Sequence, residues 1–164
     1  MKRTYMTVCL ALLLSCAGVN ALAAHAARAS KRPAAQKTRK IKVYLVKLED
    51  AGKSGKKIGC GDSLFAVTRT VKATATPLKS AIEELLNISH DEGNYWMGEN
   101  LKVKSATISK GTATIRITGN GPSVAGICDE PRITSQIEET AKQFPSVKRV
   151  KVFVNGRTLA DAIR

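Results

Sequence analysis

Two kinds of apolar pattern alternate along residues 41–157, and their order restricts the chain to folds that combine helices with a sheet. Five short segments rich in β-branched residues are typical of strands: 41–46, 64–71, 101–109, 112–118 and 147–154. Two segments begin at a proline and have apolar residues at helical spacing, Leu78, Ala81, Ile82, Leu85 and Leu86 in one and Ile133, Ile137, Ala141 and Phe144 in the other. The predicted order is β-β-α-β-β-α-β, a small α+β sandwich with two helices on one face of a sheet.

The amino terminus follows a different pattern. A basic start, Met1-Lys2-Arg3, precedes an apolar run over residues 6–17 that is too short to span a bilayer. Small residues come next, so residues 1–23 are predicted to be a secretory signal peptide, cleaved after Ala21-Leu22-Ala23 or, as a second candidate, after Ala24-His25-Ala26. Alternatively, Leu13-Leu14-Ser15-Cys16 resembles a lipobox in which Cys16 is acylated and anchors the chain. Both interpretations export the domain to a periplasmic or extracellular location, without a transmembrane span.

The segment after the signal peptide is basic and lacks apolar periodicity. Residues 24–40 are therefore predicted to be a disordered linker before a domain at 41–157, and residues 158–164 a C-terminal tail. The formal net charge is +14, or +12 once the two charges of Lys2 and Arg3 are removed. Such an exported chain favours anionic surfaces, and nucleic acid is not predicted as a partner, because export removes it and aromatic residues are not interleaved with the basic ones.

Cysteines outside the signal peptide are Cys60 and Cys128. In an exported chain the simplest prediction is that they pair as a disulfide. The alternatives are two reduced, buried thiols and a metal site, and the latter lacks any known ligand spacing. The long loop that the bond would close gives a predicted stabilisation of about 4 kcal/mol.

Four segments together resemble the GerMN domain, the sporulation and spore germination module that is also present in envelope lipoproteins. They are IKVYLV, PLKSAIEELLN, KGTATIRIT and IEETAKQFPSVKRVKVFVNGR, within residues 41–157. The last is the most specific, because threonine, Phe-Pro, valine and an Asn-Gly turn follow in order across a helix and a strand. The resemblance implies a fold related to ring-building motifs, with α-β-β-α-β order over residues 77–154, and a non-catalytic role in envelope protein contacts.

The chain departs from the family pattern in two places. Asn87-Ile88-Ser89 follows the first helix, where Gly-Pro is usual. The elements around Cys60 and Cys128 are not general to the family and indicate an exported subgroup. A single domain also differs from the tandem copies of the spore protein, so a sporulation role does not follow.

Candidate chemistry is sparse. A thiol of Cys60 or Cys128 with His90 is one constellation for nucleophilic catalysis, and Asp62 with Asp129 is one for acid–base catalysis. A lone histidine in a polar loop is usually solvated, so the first is not expected. If the disulfide forms, the two aspartates are expected to cap the second helix or bind loop amides. The prediction is therefore a non-enzyme without cofactor or metal.

Binding residues are also predicted. Tyr95 and Trp96 lie in a loop and could anchor a partner; the alternative is that Trp96 and Met97 cover the edge of the core. A free sheet edge is a second candidate interface. The resulting hypothesis is an envelope module that contacts a protein partner, and the alternative is a basic binder of anionic wall or surface polymer.

Overall fold

The computed structural model describes residues 36–164. The predicted signal peptide, Cys16 and the predicted linker up to residue 35 lie outside these residues. The strands are β1 Thr38–Lys47, β2 Lys56–Lys57, β3 Ser63–Lys72, β4 Lys102–Ser109, β5 Thr112–Thr118, β6 Arg149–Val154 and β7 Arg157–Thr158. The helices are α1 Pro77–Asn87, α2 Asp129–Lys142 and the short α3 Leu159–Ala162. The α+β class and the order of the main elements are confirmed.

The strands form two sheets rather than one. The first has the order β1-β3-β2 and is antiparallel, and the second has the order β4-β5-β6-β7, in which β5 and β6 are parallel. The sheets do not join along β1, because side chains of α2 bond to the outer edge of that strand. Helical periodicity marks an apolar face but does not reveal such polar contacts, so the sequence did not indicate the division.

The first helix follows the predicted apolar spacing. Leu78, Ala81, Ile82 and Leu85 are buried, whereas Leu86 is only half-buried. Pro77 occupies the first turn, where its missing N–H is not needed. The Thr76 side chain makes no capping hydrogen bond, so the proline and the apolar face account for the start of the helix.

The β4–β5 hairpin is the part of the second sheet that the sequence predicts best. Lys110 and Gly111 both have positive φ, 47° and 74°, as the two-residue turns that match strand twist require. Ala113, Ile115 and Ile117 of β5 are fully buried. Helix α2 then crosses over and returns the chain as β6, parallel to β5.

The chain ends extend further into the fold than the sequence predicts. Strand β1 begins at Thr38, three residues before the predicted start, and residues 158–164 are not a tail. Asn155 and Gly156 turn with φ of 50° and 84° and direct β7 back along β6. Leu159 and Ile163 then bury their side chains, because they are four residues apart and share one face of the short turn of helix.

Candidate interaction surface around the disulfide

The disulfide between Cys60 and Cys128 is present and joins the turn before β3 to the start of α2. The two Cα atoms are 5.8 Å apart, and 68 positions separate the residues in sequence. The prediction from the cysteine count is thus confirmed, and neither sulfur is a free thiol. His90 lies elsewhere, with Nδ1 2.9 Å from the carbonyl oxygen of Asn94, so the thiol–histidine constellation is not formed.

Asp62 and Asp129 lie close together in space, as their positions beside the cysteines predict, and Arg132 of α2 is between them. Its Nε donates to Asp62 Oδ2 at 2.6 Å and its Nη1 donates to Asp129 Oδ1 at 3.1 Å. The guanidinium carbon also lies 4.9 Å from the ring centroid of Tyr95, a cation–π contact. The sequence analysis did not identify Arg132, and its spacing three residues after Asp129 was the available signal.

The two aspartates bind loop amides. Asp62 is fully buried and accepts from the backbone N–H of Glu49 at 3.0 Å. Asp129 accepts from the N–H groups of Ala125 and Gly126. Burial acts to raise the pKa of Asp129, but the Ala125 and Gly126 bonds and Arg132 outweigh it and hold the pKa below its ordinary value. Both carboxylates are therefore engaged in structure, and their arrangement fixes two loops beside the disulfide.

Tyr95 and Trp96 are not surface residues, so the hypothesis that they anchor a partner is not supported. Trp96 is only 1% exposed, and its Nε1 donates to the carbonyl of Ile133 at 2.8 Å. Tyr95 is 8% exposed and lies under Arg132. Trp96 is the largest of the fully buried side chains in the described residues, and its one polar atom has a hydrogen-bond partner, so its burial leaves no polar group unsatisfied.

Four exposed apolar side chains instead lie in loops that the disulfide or backbone hydrogen bonds connect: Leu48, Met97, Val124 and Ile127, here called the staple surface. Ile127 is 91% exposed and directly precedes Cys128. Leu48 precedes Glu49, whose backbone N–H donates to the Asp62 carboxylate. The backbone carbonyl of Met97 accepts from the N–H of Ser123, which precedes Val124. The sequence reasoning missed this set, although Ile127 stood in the segment noted around Cys128.

Acidic residues are absent from the strands of residues 36–164, whereas basic residues are frequent in them. The seven described strands contain no acidic residue, and all 13 Asp and Glu lie in helices and loops. The basic residues of the strands are Arg39, Lys40, Lys42, Lys47, Lys56, Lys57, Arg69, Lys72, Lys102, Lys104, Arg116, Arg149, Lys151 and Arg157. Lys40, Lys42 and Lys72 are exposed, and the register places them on the outer face of the first sheet. That face is therefore positively charged.

Within residues 36–164, no group of three or more His, Cys, Asp or Glu side chains is arranged to hold a metal ion. No helix in the same span is both long and apolar enough to cross a membrane. The fold and the site define a small α+β module with exposed apolar loops beside a disulfide and a basic sheet face.

Comparison with known proteins gives the family. A family model described as sporulation and spore germination matches residues 42–160, which is more than half of the chain. The chain belongs to this family, whose domain is the GerMN domain that the sequence motifs resemble. No curated protein matches the chain.

Two solved structures are similar. The tandem GerMN domains of the sporulation protein GerM from Bacillus subtilis match with a TM-score of 0.54 and 21% identity, over 92% of this chain and 45% of that one. The first GerMN domain of the same protein matches with a TM-score of 0.48 and 22% identity, over 74% and 86% of the two chains. The present chain thus spans less than half of the tandem structure. The likeness to the tandem structure supports the fold.

Proposed function

We propose that the protein is an exported, non-enzymatic module of the cell envelope that binds a protein partner through the staple surface. The exposure of Ile127, at 91%, is the observation that carries the proposal. A large aliphatic side chain so fully exposed gains about 2 kcal/mol when a partner buries it. Export follows from the signal-peptide pattern of residues 1–23, either with cleavage after Ala23 or with acylation of Cys16.

The loop that carries Ile127 is held in place before any partner arrives. Cys128 ties one end of it to Cys60, and Asp129 accepts hydrogen bonds from Ala125 and Gly126 inside it. Asp129 and Asp62 share Arg132, which fixes the loop to the segment that bears Leu48. A loop that is already ordered loses less conformational entropy on binding, so its exposed apolar residues bind more strongly.

Crosslinking in intact cells tests this proposal. The tagged protein is crosslinked, captured from the envelope and washed at high salt, together with the variants Ile127→Asp and Ile108→Asp. Ile108 is a matched control, because it is 38% exposed but lies on β4 instead of the staple surface. We expect Ile127→Asp to lower recovery of the partner by about thirtyfold, which corresponds to about 2 kcal/mol, and Ile108→Asp to leave it unchanged. Equal recovery with both variants would contradict the proposal.

A second candidate function is binding of an anionic wall or surface polymer. The separation of charge favours it, because the outer face of the first sheet presents Lys40, Lys42 and Lys72 without a neighbouring acidic strand residue. Binding of a polyanion weakens steeply with salt, whereas an apolar protein contact does not. Recovery of polymer alone, lost in the high-salt wash, would therefore favour this candidate over the protein contact.

A further inference from the structure

The two edges of the first sheet differ in whether their backbone groups are hydrogen-bonded to other parts of the protein. In an antiparallel pair, alternate residues direct their backbone groups towards and away from the partner strand. On β1 the groups directed away from β3 are bonded: Lys42 N–H donates to Gln143 Oε1 at 2.8 Å, and Tyr44 N–H donates to Thr140 Oγ1 at 3.1 Å. Gln136 and Gln143 donate to the carbonyls of Tyr44 and Lys42. The edge of β1 is thus closed by α2.

Within residues 36–164, nothing bonds to the opposite edge, on β3, over most of its length. The register pairs Thr68 with Lys42 and Ala66 with Tyr44, so the backbone groups of Ala66, Thr68 and Thr70 are directed away from β1. Strand β2 pairs only with Ser63 and Leu64. Ala66, Thr68 and Thr70 are all exposed. Six backbone donors and acceptors are therefore available in a row, here called the β3 edge.

Strand β3 has few of the features by which proteins protect exposed strands: its charged residues are Lys72 at its end and Arg69 on the inner face, and Arg69 is paired with Glu84 and Glu92. It contains no proline or glycine, and its pairing with β1 runs without a register shift. Strand β4, at the edge of the second sheet, has both a register shift between Val103 and Ser105 and lysines at positions 102 and 104. The β3 edge is regular and rich in valine and threonine, which favours pairing with another strand.

We propose that the β3 edge binds an extended segment of the protein partner as an additional strand, and that this segment alternates acidic and apolar residues. This inference rests on the proposed function of protein contact. On the outer face, the new strand would lie beside Thr68 and Thr70, with Lys42 and Lys40 one strand further and Lys72 at the end, which favours acidic side chains. On the inner face it would lie beside the half-buried Val67 and Val71, which pack against the core and favour apolar side chains. Arg69 lies between these two valines, and its charge is already paired with Glu84 and Glu92.

A synthetic peptide of alternating valine and glutamate, blocked at both ends, provides the probe. It is titrated into the isotope-labelled full chain while backbone amide exchange and chemical shifts are recorded. We expect slower exchange at the amides of Ala66, Thr68 and Thr70, and no binding of a peptide that alternates valine and lysine. Absence of binding at about 1 mM peptide, or protection elsewhere but not at these amides, would overturn the proposal.

Two substitutions at one position separate backbone pairing from side-chain contact. Thr68→Pro removes an N–H that bonds to none of the described strands, and an edge strand tolerates proline at such a position. Thr68→Ala keeps the N–H. We expect Thr68→Pro to weaken binding of the valine–glutamate peptide by about tenfold or more and Thr68→Ala to change it little. Equal affinities in two cooperatively folded variants would overturn the proposal, and the amide protection of the unmodified chain is an independent readout.

Failure of this inference differs visibly from failure of the proposed function. Ile127→Asp leaves the β3 edge intact, so peptide binding is expected to persist in that variant. If peptide binding is absent while crosslinking in cells still depends on Ile127, the protein contact stands and the strand addition is wrong. If the peptide binds but recovery of the partner is independent of Ile127, the staple surface is wrong and the β3 edge remains.

Discussion

Single polar residues decide how the loops of this protein are held. Arg132 lies between Asp62 and Asp129 and over the ring of Tyr95, and it thereby links α2 to two loops. Removal of this arginine leaves the buried carboxylate of Asp62 without its positively charged partner, which is costly. Asp50 has a similar role in the loop after β1, where its Oδ2 accepts from the Ser63 hydroxyl at 2.6 Å and from the Ser54 N–H. Both residues are polar, so hydropathy patterns did not mark them.

The lowered pKa of Asp50 predicts that protonation of this carboxylate contributes to acid denaturation. The Ser63 hydrogen bond, which outweighs burial, and further bonds to Ser54 lower the pKa of Asp50 from 3.8 to about 2. A carboxyl whose pKa is lower in the folded state stabilises the fold above its unfolded pKa, and this contribution is lost as pH falls through the folded value. We expect the melting temperature to fall between pH 3.8 and about 2. Asp50→Asn should be less stable than the parent at pH 7 and should differ little from it at about pH 2.

Melting curves across this pH range check the prediction. Asp91→Asn is a suitable control, since Asp91 is an exposed carboxylate in a loop turn. A constant difference in melting temperature between Asp50→Asn and the parent at all pH values would contradict the role of Asp50.

At the scale of elements, α2 combines two faces with different partners. Ile133, Ile137 and Ala141 pack in the apolar core, as their spacing predicts. Gln136 and Thr140 are also fully buried, although no role was predicted for them from the sequence. Their burial is possible because they bond to the edge of β1 and the neighbouring loop. This polar row replaces the strand that would otherwise extend the first sheet.

Substitution of Gln136 tests how much this polar row of α2 contributes to stability. Its Oε1 accepts from Tyr95 N–H at 2.8 Å, and its Nε2 donates to the carbonyls of Tyr44 and Gly93. Gln136→Ala leaves the buried N–H of Tyr95 and the half-buried carbonyl of Tyr44 without this partner, whereas the Gly93 carbonyl keeps its bond from the Val46 N–H. We therefore expect the free energy of unfolding to fall by about 3 kcal/mol. Gln143→Ala, at the half-buried end of the same row, should cost about 1 kcal/mol or less. Urea unfolding of both variants measures the difference, and equal losses would argue against the interpretation.

At the scale of the whole molecule, the disulfide and the helices together hold the domain. The Cys60–Cys128 bond connects the loop before β3 to α2, the helix whose side chains bond to the edge of β1. It lies at the end of the domain where the staple surface and the Arg132 contacts are found. Its loss is therefore expected to affect both stability and binding.

Replacement of both cysteines by serine measures this effect. With 68 positions between the cysteines, the chain-entropy model predicts a loss of about 4 kcal/mol. The melting temperature should fall by about 12 °C in oxidising buffer. In reducing buffer the parent should melt close to the double variant. A melting temperature equal to that of the parent under oxidising conditions would contradict a stabilising role for the bond.

The sequence by itself determined the order of the main elements, the buried faces of α1 and β5, the disulfide pairing and the family. These features are local, or follow from cysteine chemistry, so periodicity and composition report them directly. The tertiary structure alone decided the division into two sheets, the burial of Trp96, the position of Arg132 and which sheet edge stays open. Each of these depends on contacts between residues far apart in the chain, such as Gln136 and Tyr44, which are 92 positions apart. A local pattern indicates that a side chain is buried or polar, but the group that it meets is set only when the elements pack together.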